Sequence, residues 1–76
     1  MITVRFFGSL REQVGFAEQQ ISAAPEQTIA QVWQQVCPDF PRPENTLSAL
    51  NQEYMDFNTP VQAGDEVAFF PPVTGG

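Results

Sequence analysis

The 76-residue sequence has no histidine, a single cysteine, and only three basic residues, all of them arginine. Without histidine it lacks the side chain that most often serves as a general base near neutral pH or as a metal ligand, so no metal site is expected. Its one cysteine, Cys37, can form neither an internal disulfide nor a cysteine zinc cluster, and stability must come from packing. Nine acidic residues against three arginines give a net charge of -6, which repels a phosphate backbone, so nucleic acid is not an expected partner. No stretch approaches the roughly 20 apolar residues of a membrane span. The opening "MITVRFFGSLRE" has neither a basic lead-in nor a small-residue cleavage site, so a cytoplasmic location without a membrane partner is expected. What the chain does have is 42% hydrophobic residues and seven phenylalanines, enough for one core and too little length for two. One domain over residues 1–76 is expected.

Along the chain, "ITVRFF" sets Ile2, Val4 and Phe6 against Thr3, Arg5 and Phe7, the period of a half-buried strand that Gly8 ends. "SLREQV" has few apolar positions and is not read as a helix. After Gly15, "FAEQQIS" is read as a second strand, with Phe16, Glu18, Gln20 and Ser22 opposing Ala17, Gln19 and Ile21. In "TIAQVWQQVCP", Ile29, Val32, Trp33 and Val36 fall at i, i+3, i+4 and i+7. Thr28 and Gln31 have capping-box spacing and Pro38 follows, which predicts an amphipathic helix from about residue 28 to about residue 37. "PDFPRPENT" is a proline-rich connector. "LSALN", a turn at Asn51 to Glu53, "YMDF", a loop at Pro60 and Gly64, and "EVAFF" then supply three more strands. A helix apolar on one face, inserted between these strands, can bury that face only by lying across their sheet.

Strand parity then identifies aromatic residues that the helix cannot cover. If Val4 and Phe6 face the helix, Phe7 faces away; if Val67 and Phe69 face it, so does not Phe70; if Met55 and Phe57 face it, Tyr54 faces away. Phe7, Tyr54 and Phe70 are therefore candidates for one exposed apolar patch of the kind that meets a protein partner. Cys37, at the helix end beside Pro38, reads as an inert packed thiol. Asp65 and Glu66 read first as a turn and a strand start, and second as salt-bridge partners for a basic surface.

The ending "GDEVAFFPPVTGG", together with "NQEY", "TPVQAGDEV", the opening "VRFFGSLRE" and the capped helix, resembles the molybdopterin synthase small-subunit family, the MoaD-type sulfur carriers. The resemblance implies an α+β, ubiquitin-like β-grasp fold: a mixed five-stranded sheet with one main helix packed across it and a flexible tail at about 71–76. It further implies that the terminal carboxylate of Gly76 is adenylated by a separate activating enzyme that uses ATP, and then converted to a thiocarboxylate with sulfur from a sulfurtransferase. The recipient is a cyclic pterin phosphate held by the large synthase subunit, in an assembly of two small and two large subunits. On this account the chain binds no cofactor, and the catalytic side chains belong to the partner. Pro71, Pro72, Val73, Thr74 and Gly75 thread into the partner, while Phe7, Tyr54 and Phe70 form the interface. Two prolines hold the tail extended, two glycines pass a narrow channel, and six extended residues reach roughly 20 Å. A sulfur carrier for thiamine or another pathway, and a ubiquitin-like protein modifier joined through Gly76, remain alternatives that share the same acyl chemistry.

Overall fold

The computed structural model describes residues 1–72; the tail residues Val73, Thr74, Gly75 and Gly76 lie outside the described residues. The alternation in the opening residues makes Ile2–Phe6 the first strand, β1, with Ile2, Val4 and Phe6 buried and Arg5 exposed. A short helix, α1 (Ser9–Val14), follows, and the chain returns as β2 (Glu18–Ile21). The second helix, α2 (Ile29–Val36), leads through the connector to β3 (Leu47–Leu50), β4 (Glu53–Tyr54) and β5 (Glu66–Phe70). The sheet order is β2-β1-β5-β3-β4. β1 and β5 run parallel at its centre, and the other pairs are antiparallel.

Helix α2 carries the core. Thr28 accepts from the backbone N–H of Gln31, and the Gln31 side chain accepts from the N–H of Thr28, so the expected capping box is present. Ile29, Val32 and Trp33 are buried against the sheet. The Trp33 ring lies 4.9 Å from Phe69 and 5.6 Å from Phe6 in edge-on contacts. Each such aromatic pair contributes about 0.5–1.5 kcal/mol beyond the burial of its area. The connector is tied down from below and above: the Trp33 indole N–H donates to the Phe40 carbonyl at 3.0 Å, and the Arg42 guanidinium sits 3.6 Å from the Phe57 ring centroid.

Three expectations need correction. "SLREQV" is helical: Leu10 is buried and Val14 half-buried one turn later, and Gly15 closes the helix in the left-handed region with its N–H donating to the Arg11 carbonyl. Two core-facing side chains one turn apart are enough for a six-residue helix that the neighbouring strands hold in place. The second strand begins at Glu18, not Phe16. A bend at Ala17 breaks the alternation, so that Phe16 reaches the core edge-on to Phe6 at 5.2 Å while Ile21 is buried as well. Finally, β4 stops at Tyr54. Met55 is an exposed side chain, not a helix-facing one, and Phe57 reaches Phe69 from a turn, stacked at 6.1 Å. Among the described residues no helix is long and apolar enough to cross a membrane.

Candidate functional site

The sheet face opposite α2 takes the odd members of β1 and the even members of β5. Thr3, Arg5 and then Phe7 line one row, and Glu66, Ala68 and Phe70 the next. Parallel register pairs Phe6 with Phe69, and the Phe7 N–H donates to the Phe69 carbonyl at 3.0 Å, which brings Phe7 beside Phe70. Their rings stack with centroids 4.8 Å apart and planes 9° off parallel. Ala49 of β3 pairs with Ala68 on one side and Tyr54 on the other, and so sets Tyr54 within reach of the same cluster. The Tyr54 and Phe70 centroids are 5.7 Å apart. Phe7 is 39% exposed and Tyr54 69%, with Phe70 half-buried between them. The structure therefore gathers the three aromatics singled out by parity into one accessible cluster on the uncovered face.

The tail leaves from this cluster. Pro71, half-buried, follows Phe70 directly, and Pro72 is exposed. Gly8, at φ 59° just after β1, passes so close to Pro71 that a Cβ there would lie 2.9 Å from the ring Cγ. A missing side chain on one segment thus seats the first proline of the other. This contact has no signal in the sequence beyond a glycine after a strand.

The cluster is bordered by charge. Arg5 Nε lies 3.3 Å from Glu18 and 3.1 Å from Glu66. Asp65 is committed to the turn before β5: its carboxylate accepts from the Gln62 N–H at 2.8 Å and from the Asn51 amide at 3.0 Å. Asn51 in turn accepts from the Glu66 N–H at 2.9 Å, so the β3–β4 turn is tied to the start of β5. On the far side of Tyr54, Leu47, Met55 and Phe57 line a larger open groove. Cys37 is buried at the end of α2, and burial pushes its thiol up from the ordinary value, which suits a packed group and not a nucleophile. Among the described residues no group of three or more His, Cys, Asp or Glu is placed to hold a metal ion. Among the described residues this face thus carries an accessible aromatic cluster beside Pro71, bordered by the ion pairs of Arg5 with Glu18 and Glu66.

Comparison with known proteins gives a consistent picture. The molybdopterin synthase sulfur carrier subunit of Escherichia coli (strain K12) is 40% identical over 82 aligned positions, covering 100% of both chains. The crystal structure of SAMP1 from Haloferax volcanii superposes with a TM-score of 0.81 at 22% identity, covering 99% of this chain and 98% of that one, and bears out the β-grasp fold. A chain from the complex of subunits 1 and 2 of the molybdopterin-converting factor of Helicobacter pylori 26695 gives a TM-score of 0.62 at 27% identity, with 99% and 97% covered. The model of the ThiS family matches residues 4–76, and with a full-length relative at 40% identity this β-grasp chain belongs to the ThiS family.

Proposed function

We propose that this protein is a cytoplasmic sulfur carrier of molybdenum cofactor biosynthesis, the small subunit of a molybdopterin synthase. The observation that carries the reading is the accessible aromatic cluster of Phe7, Tyr54 and Phe70, from which the chain passes directly into Pro71 and Pro72. A partner that covers this cluster would receive the tail at the edge of the same contact. The full-length relative named as a sulfur carrier subunit, and the neighbour solved as a complex of two converting-factor subunits, support this pathway over thiamine synthesis or protein modification.

In this mechanism the Gly76 carboxylate attacks the α-phosphate of ATP on a separate activating enzyme and releases pyrophosphate. Sulfur carried as a persulfide by a sulfurtransferase then displaces AMP to give an acyl disulfide, and a thiol cleaves its S–S bond, ending in a disulfide itself and leaving a C-terminal thiocarboxylate. The large synthase subunit takes the tail through Val73, Thr74 and Gly75, where the sulfur bonds to a carbon of its cyclic pterin phosphate and displaces an oxygen substituent. Water then hydrolyses the resulting thioester, which leaves the sulfur on the pterin and returns Gly76 to the carboxylate. Everything this chain contributes is positional: a rigid β-grasp body, an apolar docking face and a reactive end at a fixed reach. That division agrees with a chain that lacks histidine and lysine.

The test is intact mass spectrometry after co-expression with the activating enzyme. The reading expects oxygen replaced by sulfur at the C-terminus and transfer of that sulfur to the pterin when the large subunit is added. Conjugation to another protein would point to a modifier. No change of mass, or full pterin conversion by a chain extended beyond Gly76 and left untrimmed, would overturn the carrier reading.

A further inference from the structure

The face that bears the aromatic cluster also contains a hollow of about 250 Å³. Its floor is the cross-strand pair Ala49 and Ala68, both buried although neither belongs to the helix-side core. Two methyl groups in register leave a dent that longer side chains would fill. Phe70 and Tyr54 wall it at one end, and Arg5 and Glu66 at the other. The charged wall is not balanced. Glu18 and Glu66 share the single guanidinium of Arg5, so two carboxylates face one cation, and the surplus is negative. In the free protein water solvates that surplus.

On the reading that this face docks on a protein partner, docking removes the water. An apolar lid over an uncompensated carboxylate is strongly unfavourable, and the penalty is offset only if the lid brings a positive charge with good geometry. We infer that the hollow is a socket for one arginine side chain of the partner. The aliphatic stem lies on Ala49 and Ala68, and the guanidinium pairs with Glu66 while its flat face rests against Phe70 or Tyr54. Arginine suits these walls better than lysine, because one planar group can meet a carboxylate at its edge and an aromatic ring on its face. The acid used is Glu66 and not Asp65, whose carboxylate is already held inside its own turn. A net charge of -6 on the chain favours a basic partner surface in the same sense.

The experiment measures binding of the large molybdopterin synthase subunit from the same organism by calorimetry, at low and high salt. It uses the parent and the variants Glu66→Gln, Ala68→Leu and Phe70→Asp, with circular dichroism to confirm that each is folded. A socket for arginine expects Glu66→Gln to weaken binding by at least about tenfold at low salt and to flatten the salt dependence. Ala68→Leu, which fills the dent, should also weaken it at least about tenfold. Tighter binding by Glu66→Gln would mean an apolar occupant and would overturn the inference. If Glu66→Gln binds like the parent while Phe70→Asp is weakened, the socket is wrong and the docking face stands. If Phe70→Asp also binds like the parent, the docking face itself is wrong and the socket falls with it.

Discussion

Replacing Trp33 with alanine removes the largest side chain packed beneath the sheet. Trp33 is only 3% exposed and touches Phe6, Phe69 and Phe40 with its ring. Burying about 200 Å² of such a ring is worth about 5 kcal/mol at about 25 cal/mol per Å², and truncations of buried aromatics to alanine cost about 3–5 kcal/mol. A domain of this length holds about 4–11 kcal/mol in total. Trp33→Ala should therefore leave the protein marginal or unfolded at room temperature. Trp33→Phe is the more informative change. It keeps most of the ring but deletes the N–H that donates to the Phe40 carbonyl, leaving a partly buried acceptor without its donor, at a cost of about 1–2 kcal/mol. With a urea slope of about 1 kcal/mol per M for a chain this small, the midpoint should fall by about 1–2 M, read by far-ultraviolet circular dichroism because the change removes the single tryptophan. A midpoint for Trp33→Phe equal to the parent's would refute the claim that the indole N–H holds the connector. An unchanged midpoint for Trp33→Ala would refute the packing of α2 itself.

Thr28→Ala, which removes the hydroxyl half of the capping box, should lower stability by about 1 kcal/mol in the same denaturation experiment and leave partner binding unaltered. Burial raises the Cys37 pKa, so as pH rises past the thiol's ordinary value the unfolded chain ionises first, and the folded state loses stability from there until pH passes the raised folded value. Alkylation at pH 8 should accordingly be at least about tenfold slower in native protein than in urea, and equal rates would show that the thiol is exposed. Gly75→Val should leave the melting temperature within about 1 °C of the parent. It should nonetheless obstruct thiocarboxylate formation or sulfur delivery, and full pterin conversion by this variant would remove the requirement for a slender tail.

How legible the molecule was depended on whether the deciding interaction lay within one element. Helix α2 was readable because apolar spacing, the Thr28–Gln31 box and Pro38 all act within about three turns of chain. Phe7 and Phe70 were assigned to the uncovered face because parity is a local property of a strand. Their contact at 4.8 Å was not readable, since it depends on β1 and β5 lying side by side and in parallel. The same is true of the Ala49–Ala68 floor, which exists only in the register of β3 with β5, and of Gly8 against Pro71. Helix α1 was missed because its helical state rests on Leu10 and Val14 meeting a core that other segments build. Phe16 misled because a bend at Ala17 outweighed the alternation. Tyr54 reached the predicted face although the strand supporting it ended one residue before Met55.

The parallel pairing of β1 with β5 has a mechanical consequence. The residues that follow Phe70 are continuous with a strand hydrogen-bonded on both edges, to β1 on one side and β3 on the other. A pull on the tail along the strand direction loads both ladders in shear, so several bonds must slip together; a pull on β4, an edge strand of two residues, would open its bonds one after another. A partner that draws the tail into a channel, or releases it under tension, would thus act on a strand held along both edges. The body can be tugged by its C-terminal end without being unravelled from it.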